Sequence, residues 1–214
     1  MQFPLFKPQT EWVKPEKFPD LTDRQEVAID LETSDPDLKT RGSGSVIGNG
    51  KVVGIAVASE GYQGYFPFDH EGGGKMDRKK VLDWLKDILD SPSTKIFHNA
   101  MYDVCWLRKL GFKINGDIVC TMIAAAITDD NRFRYDLNSL SWHYLGYGNN
   151  EAGLAEAAQE WGIDPKAEMY KLPAMHVGAY AERDAEVTLG LWQELKREII
   201  LNANSSIPTS NRMG

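Results

Sequence analysis

Cysteine is scarce in this chain: only Cys105 and Cys120 occur, with no CxxC spacing and no paired histidines, which excludes a disulfide framework and argues against a zinc site. Both sit in apolar surroundings and are expected to be core thiols. Long apolar runs are missing too. No stretch reaches the roughly 18 residues a membrane span needs, and the start lacks the basic-then-apolar layout of a signal peptide. The expectation is a soluble, cytoplasmic protein. Positive charge is in deficit, with a formal net charge of −7, which excludes coating nucleic acid by bulk attraction, because such binding rests on Lys and Arg neutralising phosphates. Proline and glycine, at 10 and 19 of 214 residues, are too few for collagen or low-complexity disorder. What remains, 42% hydrophobic and 26% charged, suits one well-packed domain.

Residues 1–20 carry four prolines and no periodicity, so they are expected to form an extended arm on a domain spanning 21–200. Residues 201–214, rich in Asn and Ser without an apolar stripe, are expected to be a loose tail or linker. Between them the pattern predicts strands at Glu26–Glu32, Lys51–Ser59 and Tyr62–Phe68, an antiparallel set. A helix over Asp77–Asp90, a strand at Lys95–His98, a helix over Asn99–Leu110 stopped by Gly111, and a strand at Ile118–Thr121 follow. From Met122 the chain reads as helical, with breaks at 129–134, 146–150 and 164–165. A long last helix after Pro173 carries Val187, Leu191, Leu195 and Ile199 at four-residue steps. The fold class is α/β: a mixed five-stranded sheet, three antiparallel then two parallel strands, flanked by helices.

Alternation along Val27–Glu32 puts Val27, Ile29 and Leu31 on one face and Ala28, Asp30 and Glu32 on the other. An isolated Asp-x-Glu is more often a solvated edge than a site, and Asp184-Ala185-Glu186 shows how readily it recurs. That second copy lies in a helix, where i and i+2 do not share a face. Asp103 falls on a helical stripe with Asn99, Trp106 and Leu110, and Asn99 alone could be only an N-cap. Tyr180 and Asp184 head a third stripe with Val187 and Leu191. Tyr65 and Asp69 have the same spacing as Tyr180 and Asp184, but they sit in a proline-interrupted strand. Asp30, Glu32, Asp103 and Asp184 thus leave separate elements toward one sheet–helix crevice. Two like charges near 4 Å repel by about 4 kcal/mol at an effective dielectric of 20, so such a cluster either takes up protons or binds cations. An all-oxygen set suits Mg²⁺ or Mn²⁺, and two such ions can drive phosphodiester cleavage.

Asp30-Leu31-Glu32-Thr33, Asn99-Ala100-Met101-Tyr102-Asp103 and Tyr180-Ala181-Glu182-Arg183-Asp184 resemble the three motifs of the RNase H-like DEDD exonucleases, in the tyrosine-bearing branch. His70–Gly74, Asp129–Arg132 and Glu168–Pro173 further resemble the proofreading domain of phage-like, family A (polymerase I-like) DNA polymerases. The resemblance implies a metal-dependent 3′-5′ exonuclease acting on single-stranded DNA 3′ ends. In it Asp30 bridges two divalent cations, Glu32 and Asp184 complete the shell of the first ion, and Asp103 holds the second through water. Tyr180 orients the attacking water with help from Glu32, while Asn99 and Thr33 match substrate-contacting positions. It also implies a monomeric unit that is excised or separate from a polymerase domain of a longer chain, working in the host cytoplasm if phage-encoded. Trp142, His143, Tyr144, Arg132 and Arg134 are candidate strand contacts, with ordinary packing and solvated charge an equal alternative. An RNA-trimming relative, a non-catalytic 3′-end binder and a plain acidic scaffold are the competing functions.

Overall fold

A computed structural model describes residues 10–148 and 151–205. Residues 1–9 of the expected arm, 149–150 of an expected break and 206–214 of the expected tail lie outside the described residues. The strands are β1 (Glu26–Ser34), β2 (Lys51–Ser59), β3 (Tyr62–Pro67), β4 (Thr94–Phe97) and β5 (Ile118–Cys120). They form one sheet in the order β3-β2-β1-β4-β5. The pairs β3–β2 and β2–β1 are antiparallel, whereas β1–β4 and β4–β5 are parallel. The helices are α1 (Gly44–Ile47), α2 (Arg78–Asp90), α3 (Ala100–Lys109), α4 (Thr121–Thr128), α5 (Leu137–Leu145), α6 (Ala152–Trp161) and α7 (Gly178–Ser205), with 3-10 turns at Met169–Lys171 and Ala174–His176.

The period of two in β1 divides the core. Val27, Ile29 and Leu31 pack with Val81, Leu85, Ile88 and Leu89 of α2 and with Trp106 and Leu107 of α3. Ala28 packs on the opposite face with Ala56, Ala58, Tyr65 and the α7 residues Ala181, Ala185 and Leu189. Small residues on both sides let the α7 backbone lie close to the sheet, and that closeness brings the Asp184 side of the helix to the acidic face of β1. Trp12 sets its ring 6.1 Å from Tyr65, and Phe18 stacks on Phe66 at 5.5 Å.

Far from that face, at the start of β4, Lys95 is completely buried. Its ammonium donates to the carbonyls of Ser91, Ser93 and Asn115, tying the loop that enters β4 to the loop that enters β5. A buried acceptor stripped of its donor costs about 1–3 kcal/mol. Lys95→Met is therefore expected to lower the unfolding free energy by about 3 kcal/mol, read as a lower urea midpoint with an unchanged slope.

Three expectations need correction. The last helix begins at Gly178, after the 3-10 turn at 174–176, and runs through Ser205, so the first five residues of the expected tail are helical. An absent apolar stripe does not stop a helix once it is propagating, and no proline intervenes before Pro208. β1 continues to Ser34 because Thr33 and Ser34 pair with Val52 and Lys51 beyond a register shift after Glu32. Cys105 and Cys120 are only half-buried: Cys105 lies off the buried stripe of α3, while Cys120, at the end of the edge strand β5, packs against the core from its margin. The single turn α1, which no periodicity announces, is capped by Ser43 and tied down by Asp35, which accepts the Gly44 N–H.

Candidate active site

Asp30 and Glu32 stand side by side on the α7 face of β1, opposite Ala56 and Gly54 of β2. Glu32 is buried, while Asp30 is partly exposed. Asp103, in the first turn of α3, is buried and accepts the Leu31 N–H at 3.2 Å through Oδ1. That bond ties the second acidic element to the backbone between the first two acids. Asp184 is buried on α7, one helical turn beyond Tyr180, whose hydroxyl bonds to it.

The four carboxyls feel one another. Burial and the charge of Asp184 push the Asp30 carboxyl up to about 8. Burial raises Glu32 well above the usual carboxylate range, and the charges of Asp30, Asp184 and Asp103 add to it. Asp103 is raised by burial and by Asp30. Burial, then Asp184, Glu32 and Asp30, raise the Tyr180 hydroxyl, which stays protonated at any physiological pH. No Lys or Arg pairs with Asp30, Glu32 or Asp103 among the described residues, and Glu32 Oε1 is buried with no hydrogen-bond partner. Among the described residues no three His, Cys, Asp or Glu side chains form a ready-made ion cage, so gripping ions takes rotamer adjustment within this cluster. The donor set still fits hard divalent cations, since it offers only carboxylate oxygens, crowded so that Asp30, Glu32 and Asp103 hold their protons more tightly.

The two positions expected to contact substrate, Asn99 and Thr33, fare differently. Asn99 is exposed and holds the N-cap position of α3, but its side chain makes no capping bond. It sits in the left-handed region, φ 61°, and is the only non-glycine residue with positive φ among the described residues. A backbone held there costs of order 1–3 kcal/mol and persists where surrounding structure demands it. Thr33 Oγ1 lies 2.7 Å from the Tyr102 hydroxyl, which itself donates to Asp35 at 3.0 Å. Tyrosine has one proton to give, so Thr33 is the donor to Tyr102 and has no proton left for a phosphate.

Trp142 is 60% exposed and His143 is exposed, with the His143 ring edge-on to Tyr144 at 4.7 Å. Arg132 lies 5.7 Å from the Tyr144 ring and 3.8 Å from Asp129, and Arg134 pairs with Asp136 at 3.1 Å. Between the two arginines Phe133 is fully exposed, a feature the sequence reading missed. His98 anchors this loop beside Asn99, because its ring bonds Thr121 Oγ1 at 2.8 Å and the Tyr135 backbone. The Asp184-Ala185-Glu186 decoy resolves as expected: Glu186 turns away to pair with Arg183 at 2.6 Å. Tyr65 does not share a face with Asp69, which pairs with Lys51 at 3.2 Å. Tyr65 instead turns into the acidic cluster, a placement that strand pairing through Ala56 to Asp30 could have signalled.

A family model described as 3′-5′ exonuclease, of the DNA polymerase A type, matches residues 16–200. The chain belongs to this exonuclease family. It is 34% identical over 215 residues to a DNA-directed DNA polymerase of Pseudomonas phage M6, covering 93% of this chain and 31% of that protein. To DNA polymerase I of Pseudomonas aeruginosa it is 30% identical over 189 residues, covering 82% of this chain and 19% of that one. The exonuclease chain thus spans less than a third of the curated relatives it matches. Among solved structures, the catalytic core of RRP6 from Trypanosoma brucei superposes with a TM-score of 0.58 at 21% identity, covering 86% of this chain and 43% of that one. Escherichia coli RNase D gives 0.56 at 16% identity, covering 86% and 42%. At such identities these two establish the RNase H-like fold.

Proposed function

We propose that this exonuclease domain removes nucleotides from single-stranded DNA 3′ ends using two divalent cations, Mg²⁺ or Mn²⁺, and that it proofreads for a DNA polymerase. The reading rests on one observation above all: carboxyls from β1, α3 and α7 share one cluster, where burial and the neighbouring charges raise the proton affinity of Asp30, Glu32 and Asp103, and among the described residues no Lys or Arg pairs with these three. Asp30, Glu32, Asp103 and Asp184 would hold the ions, which when bound supply the Lewis acidity that activates water and stabilises the leaving oxygen. Tyr180, bonded to Asp184 and kept neutral by its surroundings, orients the attacking water and does not act as a base. Glu32, with an unpartnered oxygen, is the group placed to accept a proton from that water. Asn99 and Phe133, both exposed and both on segments tied to His98, offer the incoming strand a polar contact and a stacking face. The cytoplasm of the cell that hosts replication is the corresponding place of action, with a polymerase domain as partner.

A second reading has a specific support, since Escherichia coli RNase D is an exoribonuclease involved in structured RNA processing. That protein shares the fold only, whereas the relatives above 30% identity are DNA polymerases, so DNA is favoured. The test is digestion of matched 5′-labelled DNA and RNA strands with Mg²⁺, Mn²⁺ or EDTA. The expected result is a ladder shortening from the 3′ end of DNA, faster than for RNA, and absent in EDTA. Digestion indifferent to EDTA, or of RNA alone, overturns the proposal.

A further inference from the structure

Glu32 faces Gly54 across the β1–β2 pair. A Cβ at Gly54 would lie 2.1 Å from the Tyr65 hydroxyl oxygen, so that oxygen fills the place of a side chain there. Cβ positions directly opposite one another are about 4.5–5.5 Å apart, which puts the hydroxyl within reach of the Glu32 carboxyl. The charges of Glu32 and Asp30 both bear on it. A tyrosine beside a carboxylate is ordinarily its donor, and hydrogen bonds to an ionised acceptor are the strong ones.

Here the donor is committed elsewhere. The Tyr65 hydroxyl lies 2.6 Å from His70 Nε2, and His70 Nδ1 lies 3.1 Å from the Leu172 carbonyl oxygen. All three residues are wholly buried. A carbonyl only accepts, so Nδ1 carries the proton. Burial holds the ring neutral, its pKa lowered to about 4, which leaves Nε2 an acceptor. The single Tyr65 proton therefore goes to Nε2. Two backbone bonds, Glu71 N–H to Tyr170 O at 2.9 Å and Ala174 N–H to Gly73 O at 3.0 Å, hold the His70 and Leu172 segments together.

We propose that His70 draws the Tyr65 hydroxyl proton away from Glu32, so that the Glu32 carboxylate meets no competing donor and stays open to a divalent cation. His70 is then a positioning residue for the ion-holding face, acting by restraining the Tyr65 hydroxyl, an inference that rests on the two-cation reading above. His70→Leu removes the acceptor, frees the hydroxyl to donate to Glu32, and sets it in competition with the ion. His70→Gln retains an acceptor. Tyr65→Phe has no hydroxyl to redirect.

The test is calorimetric titration of the full chain with Mn²⁺ alone, alongside ¹⁵N NMR of the imidazole. Wild type is expected to bind and Asp30→Asn to bind far more weakly. His70→Leu is expected to raise the dissociation constant about 10-fold, in line with other outer-sphere partners of metal ligands. His70→Gln and Tyr65→Phe are expected to stay within about threefold of wild type, and Tyr65→Phe/His70→Leu to return to the Tyr65→Phe value. A merely structural role would make the double variant the weakest of all, and that result overturns the proposal. So does unchanged Mn²⁺ affinity in His70→Leu. Should His70→Leu not fold, the NMR spectrum still decides, since a ring protonated at Nε2 refutes the arrangement and one protonated at Nδ1 supports it. If wild type takes up no Mn²⁺, the two-cation reading itself fails, which is a different outcome from wild-type binding with an indifferent His70.

Discussion

Asp30→Asn abolishes digestion of a labelled DNA strand, by at least about 10³-fold, while the protein melts at a higher temperature in EDTA than the parent. The loss follows from position: Asp30 lies next to Glu32 on β1, and its charge bears on Glu32, Asp103 and Tyr180 together. A thousandfold is about 4 kcal/mol of transition-state stabilisation, the scale at which a cation clamp acts. The gain in stability follows from the same placement, because folding above about pH 4 makes Asp30 hold a proton that the unfolded chain has released, whereas an amide of the same shape is neutral in both states. Asp184→Asn is expected to behave alike, since Asp184 is the charge that acts on Asp30. Rates within tenfold of the parent in both variants would refute the assignment of these carboxyls, and a melting temperature that falls would refute their mutual repulsion.

The second large effect is on pH dependence. Asp30 has its carboxyl raised from 3.8 to about 8 in the folded protein. Between those values the folded chain keeps a proton that the unfolded chain has released, so stability is full below about pH 4 and declines as pH rises toward 8. Roughly four pH units at 1.36 kcal/mol each limit the Asp30 contribution to about 5 kcal/mol. Glu32 and Asp103 shift in the same direction. Urea melts in EDTA from pH 5 to 8 should show falling stability, and saturating Mg²⁺ or Mn²⁺ should flatten the trend by replacing the protons. A stability that rises across that range in EDTA would show that the acids are solvated.

Much of this architecture was legible in the residues because its signals are local. Strict alternation through Val27–Glu32 assigns both the hydrophobic and the acidic face of β1, and the stripes through Asp103 and Asp184 follow from helical spacing. Features that arise only from tertiary packing were not. Asn99 reads as a helix cap, yet the turn out of β4 forces it into a left-handed conformation without a capping bond. Thr33 reads as a free hydroxyl, yet Tyr102, sixty-nine positions away in the chain, occupies it. Tyr65 and His70 look like strand and loop residues, and only the pairing of β2 with both neighbours sets Tyr65 against the acids, with His70 behind it. α7 continues past the last residue that needs burial, which no apolar pattern can announce.

The shift in pairing between Glu32 and Thr33 falls just after the second acid. Because strand faces alternate strictly, one residue inserted between Glu26 and Asp30 would exchange the acids with the Val27–Ile29–Leu31 face and drive carboxyls into the hydrocarbon packing against α2. One residue inserted after Thr33 would be absorbed in the stretch leading to α1. The two halves of a nine-residue strand thus differ sharply in their tolerance of length variation, and deletion or insertion scanning across positions 26–43 should find an abrupt boundary at Glu32.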